Sequence, residues 1–519
     1  MVRKSRRLDH LDMDVAFAEP FWNEDSPGWR EIDQRVPEHH LARVVDRAVD
    51  RLDLRGLMAT YQGRGSLPLR PDLLLKMIVY EMLRGYASPN SWFEHARDCD
   101  ALKWLGFGLQ PSRATCYDFR DRLAPFWDQW NEQVLTMAQD LELLSPQRAA
   151  LDGTSVAAWA SRHVLLKEHS LENRLNVLAA AIAADAAQEP LAENPRWLAK
   201  HPATRLAQQE RYQQARLRLQ QRQAENQQRR ASKRRDPKKV VVSAGDPEAA
   251  CGRDKHDVFR PLYNVQIAAS VDTPFLLAYD VFNRPTDAGT LQPMLQRIVQ
   301  FTGHKPEVLL CDPSYASLAD LELCQLHGIQ LFAPVGVNDY SEKNQRKPST
   351  NQFTQLAKTQ FTWLAERDTY RCPEGHLLVF ERKQRMQRAH GQSVQSSLYR
   401  CPAEHCTGCP RQKQCTPTPS KGRTVSRLEN EELIEELRAR MRTPQAKALY
   451  RMRGQSVERA FADFKEHRSL RRFRGRGLGR AKAQLGALVL AHNLTTLEQK
   501  VRSLKTGLAR TRTLEKMAG

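Results

Sequence analysis

Between residues 262 and 334 the chain changes period again and again, and this narrows its fold more than any other feature. Leu262–Ala269 and Phe275–Phe282 are apolar runs flanking Asp272-Thr-Pro274, which predicts a hairpin. Ala288–Thr302 has helical spacing, and Glu307–Cys311 is a short apolar run that ends at Asp312. A helical stretch near Leu318–Leu326 follows, Gly328 stops it, and Ile329–Pro334 is strand-like again. Strand, hairpin, helix, strand, helix, strand is an α/β order built on one mixed sheet. Arg148–Val156 supplies one more strand-like run, with Asp152 inside it.

The flanks differ in texture. Residues 1–36 have no clear period and carry Pro20, Pro27 and several acids, which predicts a loose arm. From Pro37 to about Leu143 the spacing is helical, as in Val44, Val45, Ala48, Val49 and Leu52. Ser88-Pro-Asn-Ser91 and Pro111-Ser-Arg-Ala-Thr115 are turn and cap signals between short helices. With Arg113, Arg120 and Arg122 nearby, these helices suit a helix-turn-helix-like DNA reader, and equally a packing or dimerisation domain. The start is basic but lacks the apolar core of a secretory signal. The longest near-apolar run, Leu175–Ala184, is too short for a membrane helix. A soluble chain acting in the cytoplasm, on the nucleoid, is the expectation.

The formal net charge is +20, and it is concentrated. Residues 205–239 carry +9 and residues 451–519 carry +12, so the rest is close to neutral. Two basic blocks point to a polyanionic partner. The first lies in a Gln- and Arg-rich helical stretch, Leu206–Arg235, which on composition alone is a solvated helix or arm. The second contains Arg468-Ser-Leu-Arg-Arg-Phe-Arg-Gly-Arg-Gly-Leu-Gly-Arg480, six arginines with no acid among them.

Three separated acids carry the chemistry. Asp152 lies in or just after the first strand, and Asp312 ends an apolar strand, where open α/β sheets bind ligands. Glu458 lies on a helix whose apolar face is Val457, Phe461 and Phe464. Three converging carboxylates form a hard oxygen site suited to Mg²⁺ or Mn²⁺. Two such ions in one site can activate a nucleophile on one side of a phosphate and stabilise the leaving oxygen on the other.

These residues resemble the DDE transposases of bacterial insertion sequences, in particular the group with a YREK motif and a cysteine-bearing insert, over about residues 37–500. Asp152 in Leu-Asp-Gly-Thr, Asp312 in Cys-Asp-Pro-Ser-Tyr and Glu458 in Val-Glu-Arg-Ala-Phe-Ala-Asp-Phe-Lys look like the family's three catalytic acids. The block Arg260-Pro-Leu-Tyr-Asn-Val-Gln266, with Thr286-Asp287, resembles its second and third strands and the start of the next helix. Tyr450, Arg453, Glu458 and Lys465 match the YREK motif, except that the Arg-to-Glu step is one residue longer than its simplest form. Pro313-Ser314 stands where the family often has Ala-Gly.

The resemblance implies a ribonuclease-H-like mixed five-stranded sheet with two insertions, preceded by an all-α domain. The expected divisions are an arm over 1–36 and a helical DNA-end-binding domain over 37–145. The catalytic core occupies 146–336, interrupted by a basic helical insertion at 160–255, and resumes over 438–500. A cysteine-rich insertion fills 337–437, and a basic tail covers 501–519. The implied activity is binding of inverted-repeat ends, two-metal strand cleavage and strand transfer on double-stranded DNA, by a homodimer. Tyr450, Arg453 and Lys465 would position DNA, and Arg468, Arg471, Arg472, Arg474, Arg476 and Arg480 would track its phosphates. A catalytically silent DNA-binding regulator and a ribonuclease-H-like nuclease are the alternatives. Trp363 is a candidate base stacker, with a place in the insert's core as the simpler reading.

Five of the ten cysteines fall within 372–415. Cys406 and Cys409 have the C-x₂-C spacing that chelates one ion, and Cys372 or Cys401 with Cys415 would complete a tetrahedron. Cys372, Cys406, Cys409 and Cys415 are the expected set for a structural Zn²⁺, holding an insert that lacks a core of its own.

Overall fold

The computed structural model describes residues 15–63, 66–229, 231, 234–335, 356, 358–387 and 393–518. The chain divides into two compact units. The first comprises residues 1–218, 241–310 and 451–519, and the second comprises 219–240 and 311–450. The start of the cysteine-rich insertion, 337–355, lies outside the described residues.

The first unit opens with helices. Pro71 and Pro89 begin Pro71–Leu83 and Pro89–Asp98, where a missing N–H has no cost. The Ser112 hydroxyl accepts the Thr115 N–H (3.0 Å) at the start of Arg113–Leu123. The expected loose arm needs correction, because Pro27–Arg35 is a helix whose Ile32 is buried. Its Trp29 stacks on Trp104 and Phe107, so aromatic contacts distant in sequence replace the apolar period that was missing. The helical region packs on the long C-terminal helix Leu478–Ala518, which buries Leu485, Leu488, Leu494 and Leu497. Buried Glu498 on that helix receives both Arg47 (2.8 Å) and Arg51 (2.6 Å).

The sheet strands follow. In chain order they are β1 (Arg148–Ala157), the two-residue strands β2 (Leu165–Leu166) and β3 (Val242–Ser243), β4 (Ala250–Arg253), β5 (Phe259–Ser270), β6 (Leu276–Phe282) and β7 (Val308–Cys311). Strands β4, β5, β1 and β7 are neighbours in that order, and β6 also pairs with β5. Antiparallel pairing of β1 with β5 sets Asp152 opposite Ile267, Gly153 opposite Gln266 and Thr154 opposite Val265. The expected hairpin is therefore β5 and β6, antiparallel, with Gln266 opposite Asp280. The 160–255 stretch is not purely helical. Besides the helices Glu168–Ala187 and Pro202–Gln227, it holds the β2–β3 pair and β4, which adds to the β5 edge.

The second unit contains β8 (Gln330–Phe332), β9 (Thr362–Leu364), β10 (Thr369–Arg371), β11 (Leu377–Gln387), β12 (Ser393–Arg400) and β13 (Thr424–Leu428). The last five form one sheet in the order β13-β12-β11-β10-β9. The expectation of an insert without a core is overturned. Phe361, Tyr370, Leu378, Tyr399, Cys401, Cys406 and Val425 form a small buried core there. Aromatic and cysteine side chains fill it, so no aliphatic run in the sequence marks it. Trp363 packs against Tyr370 and Tyr399 with the Arg427 guanidinium over its ring, so it belongs to this core and not to a base-stacking surface.

Candidate active site

Each residue of Asp152-Gly153-Thr154 has a separate task. Side chains alternate along a strand, so Asp152 and Thr154 share one face of β1 and Gly153 faces the other. On the first face the Arg453 guanidinium lies between two acids. Its Nη2 is 2.9 Å from Asp152 Oδ1 and its Nη1 is 2.5 Å from Glu458 Oε1. The Lys465 ammonium donates to the Thr154 hydroxyl. On the opposite face a Cβ at position 153 would stand 2.0 Å from Asp287 Oδ1 and 2.1 Å from Gln266 Nε2. Glycine is required there because these groups lean against the strand. Asn264 and Gln266 donate to Asp287 Oδ1 at 2.8 and 2.7 Å, anchoring its carboxylate behind Asp152. No role was expected for Asp287. The signal for it was the pair of amides alternating along the otherwise apolar β5.

Glu458 reaches the site through an irregular helix. Pro444–Arg453 is α-helical, Gly454–Glu458 is a π turn, and Arg459–Glu466 resumes the α-helix. A π turn accommodates one extra residue in an α-helix. It falls within the step where the motif is one residue too long. The Ser456 hydroxyl donates to Met452 O (3.2 Å) and Arg453 O (3.1 Å), serving carbonyls where the regular ladder is interrupted. Val457, Phe461 and Phe464 are buried as their spacing predicted.

Positive charge gathers beside the two carboxylates. Burial, then Lys255 and Arg471, bring the Lys465 ammonium down to about 8, against an opposing pull from Asp152. The basic segment that follows is stitched to the end of β1: Ala157 N–H donates to Arg471 O (3.2 Å) and Phe473 N–H to Ala157 O (3.0 Å). Buried Leu470 and Phe473 pin it, and Asp246 and Glu248 accept the Gly477 and Leu478 N–H groups (3.2 and 2.8 Å). Its arginines are not equivalent. Arg468 pairs with Asp463 (2.7 Å), Arg471 with Glu466, and Arg480 with Asp121 (2.9 Å). Arg472, Arg474 and Arg476 are exposed, with Arg474 near the Trp159 ring. Burial and then the charge of Arg476 lower the pKa of Arg211, so these two arginines lie within electrostatic reach of each other. The Leu206–Arg235 arm is only partly solvated: Arg205, just before it, is buried against Asp185, and Tyr212, Ala215 and Leu219 are buried on its helix.

Asp312 lies one residue inside the second unit's longer segment, which begins at Cys311 and ends at Tyr450. Asp312 caps the short turn Pro313–Tyr315, its Oδ1 accepting the Ser314 N–H (2.8 Å) and the Ser314 hydroxyl. Pro313 fits the first position of that turn, so Pro313-Ser314, which stands where the resembled family often has Ala-Gly, forms a turn capped by the acid. Tyr450 is half-buried on the Pro444–Arg453 helix.

The cysteines gather in the small core of the second unit. Cys401 and Cys406 are buried and hydrogen-bond to each other, and Arg423 N–H donates to Cys406 Sγ (3.4 Å). Cys372, Cys406 and Cys409 all act electrostatically on the Cys415 thiol, which burial pushes up. Among the described residues, no three His, Cys, Asp or Glu side chains already form a group that would hold a metal. In the N-terminal helices, Arg120 pairs with Asp121 (2.7 Å) and Arg122 donates to Thr60 O (2.9 Å), while Arg113 lies over Phe93.

The sheet carries an acid on its first strand, a second acid on an adjoining helix, and arginines at the strand's end. Residues 371–498 match a family described as a transposase DDE domain, and residues 30–122 match one described simply as a transposase domain. Together they support a DDE-type insertion-sequence transposase, a family that implies DNA cleavage and transfer with divalent metal. None of the curated proteins compared matches the chain. No helix among the described residues is long and apolar enough to cross a membrane.

Proposed function

We propose that the chain is a transposase of the YREK group that binds the inverted-repeat ends of its insertion sequence and cuts and joins DNA on a ribonuclease-H-like core. The observation that carries this reading is the convergence of Asp152 and Glu458 on one guanidinium, beside the Lys465 ammonium. Hard oxygen donors gathered around a positive charge suit Mg²⁺ or Mn²⁺. Asp152, Glu458 and Asp312 would hold two such ions, which when bound stabilise charge on the phosphate and lower the pKa of water. Lys465 and Arg453 orient the scissile strand, and Tyr450 contacts a base or the backbone next to it. Arg472, Arg474 and Arg476, with Arg211, lead the duplex past the end of β1.

The 37–145 helices would read the element ends, and a homodimer would pair two of them. The cysteine-bearing 337–437 insertion would be fastened by a structural Zn²⁺ on Cys372, Cys406, Cys409 and Cys415. Strand cleavage of a duplex carrying the element end tests the reading. Wild type should nick it with Mg²⁺ and Asp152→Asn should not. Wild-type cleavage no greater than that of Asp152→Asn would leave a silent DNA-binding regulator. Equal action on RNA–DNA hybrids without preference for ends would make it a nuclease.

A further inference from the structure

Asp152 and Glu458 already have a cation, and it belongs to the chain. The Arg453 guanidinium spans Asp152 Oδ1 (2.9 Å) and Glu458 Oε1 (2.5 Å) with its side chain only 10% exposed. Charge-assisted bonds of this kind are about twice as strong as neutral ones. A dication on the same two oxygens would lie a few ångströms from the guanidinium, where like charges repel, most strongly on the less exposed Asp152 side. Both cations cannot keep their best contacts at once.

We infer that Arg453 is a resident counter-ion that divalent metal must displace, and that the displaced guanidinium is the group offered to a DNA phosphate. This rests on the proposed carboxylate metal site. Arg453 keeps Asp152 and Glu458 together without metal, when two uncompensated carboxylates would repel. Metal entry then frees a planar donor suited to bidentate phosphate contact. Metal and DNA therefore help each other bind, and the coupling must be equal in both directions. The π turn serves this arrangement. It brings the Arg453 guanidinium and the Glu458 carboxylate together across five positions, and it ends a straight run of α-helix just where a side chain must change partners.

The test uses the full chain and Mn²⁺ alone, with free Mn²⁺ followed by electron paramagnetic resonance in the absence of DNA. Arg453→Gln removes the competing charge, so its Mn²⁺ affinity should exceed wild type by about tenfold, the size expected for losing a charge-assisted pair. Arg453→Lys keeps the charge but has one donor point, and should fall between the two. A fluorescent mixed-sequence duplex supplies the second readout. Mn²⁺ should tighten its binding to wild type and leave its binding to Arg453→Gln unchanged. If Arg453→Gln melts like wild type but binds Mn²⁺ equally or more weakly, the counter-ion inference is overturned and the metal site stands. If Arg453→Gln is unfolded, Arg453→Lys decides by the same comparison, and equality with wild type overturns the inference. Mn²⁺ binding that Asp152→Asn leaves unchanged in every variant would overturn the metal site itself.

Discussion

Arg453 Nη1 and Glu458 Oε1 are 2.5 Å apart although they stand five positions apart, a distance along the chain that would carry a regular α-helix well past the shared face. The π turn at Gly454–Glu458 restores the phase. Removing one residue from it should turn the segment into plain α-helix with both ends still in register. Deletion of Gln455 is therefore expected to fold and to cut DNA within about tenfold of wild type. Deletion of exposed Ala462 should abolish cleavage, since it swings Lys465 about 100° around the helix relative to Glu458. Equal damage from the two deletions, measured as nicking rate and melting temperature, would deny the π turn this role.

Lys465 predicts opposite pH trends for binding and stability. Its folded-state value of about 8 lies below that of a free lysine, so the folded chain holds fewer protons than the unfolded one between about 8 and 10.5. Stability contributed by this group therefore rises with pH across that window. The cation proposed to face DNA is lost over the same window, so affinity for a duplex should fall. Lys465→Arg should flatten the affinity profile between pH 7 and 9.5, and Lys465→Met should lower affinity at pH 7 and remove the slope. Fluorescence anisotropy at constant ionic strength reads both, and an unchanged slope in Lys465→Met would assign the titration elsewhere.

The six arginines of the basic segment should divide into two groups. Arg472, Arg474 and Arg476 are exposed, and substituting all three with Gln should reduce the salt slope of DNA binding by about 2 to 3, close to one for each phosphate no longer neutralised. Arg468, Arg471 and Arg480 already pair with Asp463, Glu466 and Asp121. Their substitution should change the slope less, with Arg468→Gln lowering melting temperature most because its side chain is the least exposed of the three. Equal slopes for both triple variants would return the segment to a solvated surface.

What could be read in the sequence follows from how local each signal is. The strand holding Asp152, the β5–β6 hairpin and the strand ending at Asp312 all declared themselves by short-range period and turn chemistry. Glu458 was legible from its apolar neighbours Val457, Phe461 and Phe464. Contacts between distant residues were not. Nothing local tells that Trp29 will stack on Trp104, that Gly153 is small because Asp287 leans on it, or that Arg468 will spend its charge on Asp463. The small core around Tyr370 and Tyr399 was illegible for the same reason, since its members come from four separate strands, a short helix and the loops at Phe361 and Cys401.

Glu81 ties the N-terminal helices to pH. It is almost fully buried, shares a hydrogen bond with His95 Nδ1 at 2.8 Å, and burial raises its carboxyl to about 7 despite that partner. The folded chain then binds more protons than the unfolded one between about 4.5 and 7, so the stability this group contributes is complete at low pH and is lost as pH rises through 7. Glu81→Gln keeps an acceptor for His95 and removes the ionisation. Its melting temperature should change less than that of wild type between pH 5 and 8, and at pH 8 it should equal or exceed wild type. A steeper dependence in the variant would show that the Glu81–His95 pair is stabilised as an ion pair instead.

The cysteine cluster yields to direct metal analysis. Cys372, Cys406 and Cys409 all act on the Cys415 thiol, while Cys401 hydrogen-bonds to Cys406 from within the aromatic core. Four thiolates closing on one ion would stabilise the second unit's small sheet, because metal-binding energy becomes folding energy when the site forms only in the folded chain. Purified protein should carry about one zinc per chain. Serine at 372, 406, 409 or 415 should each release it, while Cys401→Ser should retain it and lose only packing. Chelation should then lower the melting temperature of the wild type and leave Cys415→Ser unmoved. Zinc-free protein whose thiols all react with Ellman's reagent on unfolding, and whose melting ignores chelators, would assign these cysteines to the core alone.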